Sequence, residues 1–108
     1  MKIFLFLFIF YYLVLPDEGP RITNGRPRYQ INDIVRVNCT SGRSKPATHL
    51  SWFINGEPAD SLFLRRYDTA ITGREGLEST TLGLEFKVRP RHFKRGDMKL
   101  KVIFFLLL

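Results

Sequence analysis

Four stretches of this chain place apolar side chains at every second position, the period of a half-buried β-strand. In residues 33–40 (DIVRVNCT), Val35, Val37 and Cys39 share one face, and Arg36, Asn38 and Thr40 share the other. Residues 50–54 (LSWFI) put Leu50, Trp52 and Ile54 on one face, and Asn55-Gly56 follows as a tight-turn signal. Residues 80–88 (TTLGLEFKV) align Leu82, Leu84, Phe86 and Val88; Pro90, with no N–H to donate, ends that run. Residues 97–102 (DMKLKV) turn Met98, Leu100 and Val102 inward and Lys99 and Lys101 outward. Strands are expected near 27–31, 33–41, 48–55, 79–89 and 97–104. Residues 90–96 (PRHFKRG) fit one helical turn with Phe93 inward. No sustained helical period interrupts the pattern, so the sequence predicts an all-β sandwich or barrel.

The 108 residues suffice for one domain, and the 44% hydrophobic content excludes a disordered chain. Seventeen Lys and Arg against ten Asp and Glu give a net charge of +7. The apolar content is uneven: residues 3–15 and 102–108 carry no charge, and the basic segment 16–101 lies between them. Residues 1–15 have the outline of a secretory signal or signal anchor, with Lys2 ahead of a 13-residue apolar run. That run is shorter than the roughly 20 residues of a membrane span. Its cleavage end is poor, because Leu13, Val14 and Leu15 are bulky and Pro16 follows. A mistranslated leader and a buried strand are the other readings. The tail VIFFLLL is also too short to span a bilayer and fits one buried strand; exposed, it would be an aggregation-prone edge.

Cys39 lies on one alternating strand and Trp52 on the next, 13 residues later. This is the Cys…Trp half of the immunoglobulin signature, in which the Trp packs on an inter-sheet disulfide. Residues 97–101 (DMKLK) look like the approach to the second Cys, but position 102 holds Val102, and the usual corner Tyr is Leu100. The single Cys rules out a closed intrachain disulfide and a Cys-based zinc site. A bridge closing the loop from 39 to 102 would contribute about 4 kcal/mol in the chain-entropy model, so the domain is expected to be marginal without it. Cys39 on the inward parity reads as an inert core residue rather than a reactive thiol, with intermolecular pairing after secretion as the alternative.

A narrower resemblance covers about residues 15–101. The run LPDEGPRITNGRPRYQINDIVRVNCTSGRSKPATHLSWFINGEPAD, continued by TGREGLESTTLGLEFKVRPRHFKRGDMKLK, resembles the second immunoglobulin-like domain of the insect beaten-path family. Its most specific pieces are 38–59 (NCTSGRSKPATHLSWFINGEPA) and 86–93 (FKVRPRHF). The resemblance implies a secreted or membrane-anchored cell-surface protein acting in axon guidance by binding immunoglobulin-superfamily partners of the sidestep family. Family members carry a first immunoglobulin-like domain ahead of this one, joined where residues 15–18 stand here, and continue past Lys101 with Cys and a last strand. Both apolar ends thus coincide with the limits of the resemblance. The expected explanation is one coding exon extended into non-coding sequence on both sides. The expected fold is an immunoglobulin-like sandwich, C2-like and incomplete at the last strand, with an apolar N-terminal segment. Its parts are a signal-like segment (1–15), an immunoglobulin-like domain (16–101) and an apolar tail (102–108).

Several residues then stand as site candidates. Asn38-Cys39-Thr40 is an N-x-Thr glycosylation acceptor on the outward parity, meaningful only if the chain is secreted. Trp52 is the expected core residue. Arg89, Arg91, Lys94, Arg95, Lys99 and Lys101 set six cations against Asp97. With His92, this cluster could meet heparan sulfate or an acidic partner surface, or be a solvated face. Nucleic acid is not expected, since neither a recognition helix nor stacking aromatics accompany the charge. Arg65-Arg66-Tyr67 is a smaller candidate on a sheet edge. His49 and His92 stand 43 residues apart without ligand spacing, and no G-x-S-x-G, P-loop or H-E-x-x-H occurs. The sequence therefore predicts no enzyme, metal or cofactor, and membrane association only through an uncleaved N-terminal segment. The function expected is extracellular recognition of another immunoglobulin-superfamily ectodomain. A basic glycosaminoglycan-binding module and a non-functional fragment of a longer two-domain protein are the alternatives.

Overall fold

Alternating strands can bury one face each only by packing two sheets against each other, and the chain does so. The computed structural model describes residues 2–9, 20–73 and 76–106. Ten strands follow in order: β1 (Lys2–Ile9), β2 (Arg21–Thr23), β3 (Ile34–Thr40), β4 (His49–Ile54), β5 (Glu57–Pro58), β6 (Leu64–Arg66), β7 (Ala70–Thr72), β8 (Leu77–Ser79), β9 (Thr81–Lys87) and β10 (Lys99–Leu106). One sheet has the order β1-β10-β4-β5 and the other β2-β3-β9-β6; β7 and β8 form a separate hairpin. Two 3-10 turns, Ser61–Phe63 and Pro90–His92, connect strands.

The core has the predicted parity. Val35, Val37 and Cys39 of β3 pair in register with Phe86, Leu84 and Leu82 of β9, and all six are buried. Leu50 and Trp52 of β4 pair with Phe104 and Val102 of β10, again all buried. Met98, Leu100 and Val88 complete the centre at 0% exposure. Trp52 links the layers by donating its indole N–H to the carbonyl oxygen of Leu82 at 2.9 Å. A buried indole donor left unpaired would cost about 1–3 kcal/mol, so this bond fixes how the sheets sit.

Four expected strands are found with shifted ends, the one expected over 79–89 being split into β8 and β9. The strand expected near 27–31 is not formed; β2 lies earlier, at Arg21–Thr23, where it pairs with Thr40, Cys39 and Asn38. Residues 27–31 instead form a loop that delivers Tyr29 into the core, with its hydroxyl accepting the Arg26 N–H at 3.2 Å and its ring under the Arg26 guanidinium. Tyr29 is held there as a single anchoring aromatic, with no ladder partner among the described strands. The helical turn expected in 90–96 is the 3-10 turn Pro90–His92. Phe93 is only half-buried, and the buried side chain of this segment is His92.

β10 runs without a break from Lys99 to Leu106, pairing antiparallel with β4 on one edge and parallel with β1 on the other. The apolar residues 2–9 are thus an extended strand beside the last one, with Lys2 opposite Lys99 and Ile9 opposite Leu106. The expected cleavage end and the inter-domain join at 15–18 lie outside the described residues. Among the described residues, no helix is long and apolar enough to cross a membrane.

Candidate functional site

The two sheets differ sharply on their outer faces. On the β3/β9 face, Glu85 accepts from Arg36 Nε at 3.1 Å and lies 3.4 Å from Arg65 Nε, and the hydroxyls of Thr40 and Thr81 meet at 3.0 Å. The charges at the centre of this face are paired, while Ile34 and Lys87 lie exposed at one end of it. On the β4/β10 face, the outward parity carries Phe53, Ile103 and Phe105, each half-exposed. Phe105 stacks on His49 with ring centroids 5.3 Å apart, and the Lys101 ammonium sits 5.7 Å from the Phe53 centroid. The outer-face apolar residues of β4 and β10 were not singled out from sequence. The signal existed, because in 102–105 (VIFF) and 52–54 (WFI) both parities are apolar, which one core alone does not need.

At the lower end of the same face two turns meet. Asn55 (φ 50°) and Gly56 (φ 83°) form one, and Arg95 (φ 52°) and Gly96 (φ 81°) the other. Two successive positive φ values mark the type I′ turn that matches strand twist. The second turn is closed by reciprocal backbone bonds between Lys94 and Asp97, at 2.7 and 2.9 Å. Asn55 holds the two turns together. Its Nδ2 donates to the His92 carbonyl at 2.7 Å, its Oδ1 accepts the Lys99 N–H at 2.9 Å, and its own N–H donates to the Lys99 carbonyl at 2.8 Å. Asn55, Gly56, Lys94, Arg95, Asp97, Lys99 and Lys101 line an open cleft of about 860 Å³ there.

Of the six predicted cations, Lys94, Arg95, Lys99 and Lys101 share this cleft, whereas Arg89 and Arg91 are exposed outside it. His92 does not join them. It is buried, its ring edge-on to Phe86 at 4.8 Å and to Phe63 at 6.2 Å, and its Nδ1 accepts the Arg89 N–H at 2.9 Å. Burial lowers its pKa below the usual 6.5, and the nearby Arg91 and Arg89 charges add to this. Arg65 and Arg66 lie on the edge strand β6, as expected, with Arg65 engaged by Glu85 and Tyr67 53% exposed.

Asn38 keeps its outward parity but is half-buried, lying across Gly83, where a Cβ would come within 2.5 Å of its Oδ1. Cys39 is a free, buried thiol whose pKa burial pushes up to about 12. Val102 stands at 0% exposure opposite Trp52. Among the described residues, no three His, Cys, Asp or Glu side chains gather as metal ligands.

Residues 19–98 match the CD80-like C2-set immunoglobulin domain. Among solved structures, the crystal structure of Rst D1-D2 superposes with a TM-score of 0.60 at 18% identity, covering 85% of this chain. The chain spans about half of that one, 49%. No curated protein matches it.

Proposed function

The chain belongs to the CD80-like C2-set immunoglobulin domains, and from that we propose a recognition module that docks its β4/β10 face onto another immunoglobulin-superfamily ectodomain. Domains of this family are typically extracellular or at the cell surface and generally not enzymes, and an adhesion role fits them. The observation that carries the reading is the contrast between the outer faces. One pairs Arg36 and Arg65 with Glu85 at its centre; the other presents Phe53, Ile103 and Phe105 beside Lys99 and Lys101. An apolar centre with a charged rim is the anatomy of a protein interface, and the cations select a partner with an acidic border. The resemblance of residues 15–101 to the beaten-path family supports a sidestep-like partner and a role in axon guidance. In that setting residues 1–15 serve export, and a glycan on Asn38 leaves from the opposite sheet, clear of the docking face.

The test is surface plasmon resonance of the secreted chain against sidestep-like ectodomains. Combined Phe53→Ser and Ile103→Thr substitution is expected to weaken binding at least tenfold, about 1.4 kcal/mol. Arg36→Gln on the other sheet is expected to leave it unchanged. Wild-type affinity in the folded Phe53/Ile103 variant, or loss in the Arg36 variant instead, would overturn the assignment.

A further inference from the structure

We propose that the cleft between the turns Asn55-Gly56 and Arg95-Gly96 binds a sulfated glycosaminoglycan chain, at a site that adjoins the apolar docking face and shares Lys99 and Lys101 with its rim. Among the described residues, four cations line it against the one carboxylate of Asp97. Arg26, Arg36 and Arg65 elsewhere each lie 3.1–3.5 Å from a carboxylate oxygen. Among the described residues, no ion pair engages Lys94, Arg95 or Lys99. Lys94, Arg95 and Lys99, mutually repelling and kept together on hydrogen-bonded backbone with Asp97 as the acidic neighbour in the described lining, are arranged for an external anion.

The backbone is rigid at this place. The reciprocal Lys94–Asp97 bonds fix the base of one turn; two Asn55 bonds tie the other turn to Lys99 at the start of β10, and a third ties it to the His92 carbonyl. The cations therefore start from fixed Cα positions, and binding orders only side chains. The cleft is open, and a Cβ built at Gly56 or Gly96 would meet nothing within 4 Å. An isolated sulfate would leave most of the 860 Å³ empty, whereas consecutive sulfates along a chain can engage several cations at once. The described lining holds no aromatic ring, so the base stacking that gives single-stranded nucleic acids their footing has no platform. That favours a sulfated sugar chain over a nucleic acid. Arg89 and Arg91 stand outside the cleft, so the site is narrower than the six-cation cluster visible in the sequence.

The experiment measures the full chain binding a defined heparin oligosaccharide across a salt series. Its comparators are the same oligosaccharide desulfated and a single-stranded DNA of equal charge. Lys94→Gln with Arg95→Gln, both on an exposed turn, is the first variant; adding Lys99→Gln and Lys101→Gln gives the second. A control removes four other exposed cations by Arg43→Gln, Arg66→Gln, Arg89→Gln and Arg91→Gln. The proposal expects at least a tenfold weaker affinity in the four-site variant, partial loss in the two-site variant and little change in the control. It also expects a salt slope shallower by about one for each contact removed. Equal losses in control and cleft variants would show unspecific attraction and overturn the site. Equal affinity for the DNA or for the desulfated chain would overturn the sulfated-glycan assignment. The Phe53/Ile103 variant is expected to retain heparin binding, and the Lys94/Arg95 variant, which leaves the shared Lys99 and Lys101 in place, to retain partner binding, so failure of one reading is distinguishable from failure of the other.

Discussion

Trp52 reaches from β4 to donate its indole N–H to the carbonyl oxygen of Leu82 on β9, 2.9 Å away in the facing sheet. Leu82 is itself the in-register neighbour of Cys39, and Trp52 the neighbour of Val102. The one bond therefore ties together both positions of the bridge that the chain lacks. Trp52→Phe is expected to destabilise the domain by about 2–3 kcal/mol, through the orphaned carbonyl and the smaller ring. Equilibrium urea unfolding checks it; a loss under about 0.5 kcal/mol would mean that water replaces the bond.

Val102→Cys places a second thiol opposite Trp52, whose indole reaches Leu82, the register partner of Cys39. Under oxidising conditions it is expected to close a disulfide and raise stability by up to about 4 kcal/mol, a gain lost on reduction. Thiol titration with and without reductant reads the outcome, and two free thiols in the oxidised, folded variant would refute it.

Cys39 is expected to resist alkylation at neutral pH in the folded chain and to react once unfolded, since burial holds the thiol protonated up to about pH 12. The unfolded thiol releases its proton near 9.0, so between about 9 and 12 the unfolded state binds fewer protons. Stability from this group is full below pH 9 and falls as pH rises through that window. Cys39→Ala should flatten the alkaline decline measured by thermal melting.

His92 works in the opposite sense. Its folded pKa lies below the ordinary 6.5, so the unfolded state takes up the proton first as pH falls. Its contribution is full above 6.5 and is lost below it, because protonation also removes the acceptor for the Arg89 N–H. The thermal midpoint is expected to drop on acidification through pH 6.5, and less so in His92→Gln. An identical acid profile in the two proteins would assign the loss to other groups.

Secreted from cells, the chain is expected to carry a glycan on Asn38, seen as an electrophoretic shift on enzymatic deglycosylation and absent in Asn38→Gln. No shift in the secreted wild-type chain would show that the side chain stays packed across Gly83.

Much of the interior was legible because side-chain parity is a local property. The alternation around Val35, Leu50, Leu84 and Leu100 sorts inward from outward positions without any knowledge of partners. The same reading marked Trp52 and Cys39 as core and placed a tight turn at Asn55-Gly56. It misjudged 27–31, where Tyr29 is anchored by a loop, and it left His92 among the surface cations. Both errors concern residues whose burial depends on how the chain folds around them rather than on a local period: His92 enters the core because Phe86 and the distant Phe63 pack on it.

The sequence by itself determined the sheet-forming alternation, the Trp52 core, the immunoglobulin-like character and the excess of positive charge. Only the tertiary structure decided which cations share a cleft and which sheet face carries apolar side chains outward. Lys99 and Asn55 are 44 residues apart and meet because β10 and β4 pair in one register. That register also sets Lys101 against Phe53, and it leaves Arg89 and Arg91 outside the cleft. Parity follows from the geometry of one strand, whereas register and sheet order follow from non-local hydrogen bonds between strands, which no local period encodes.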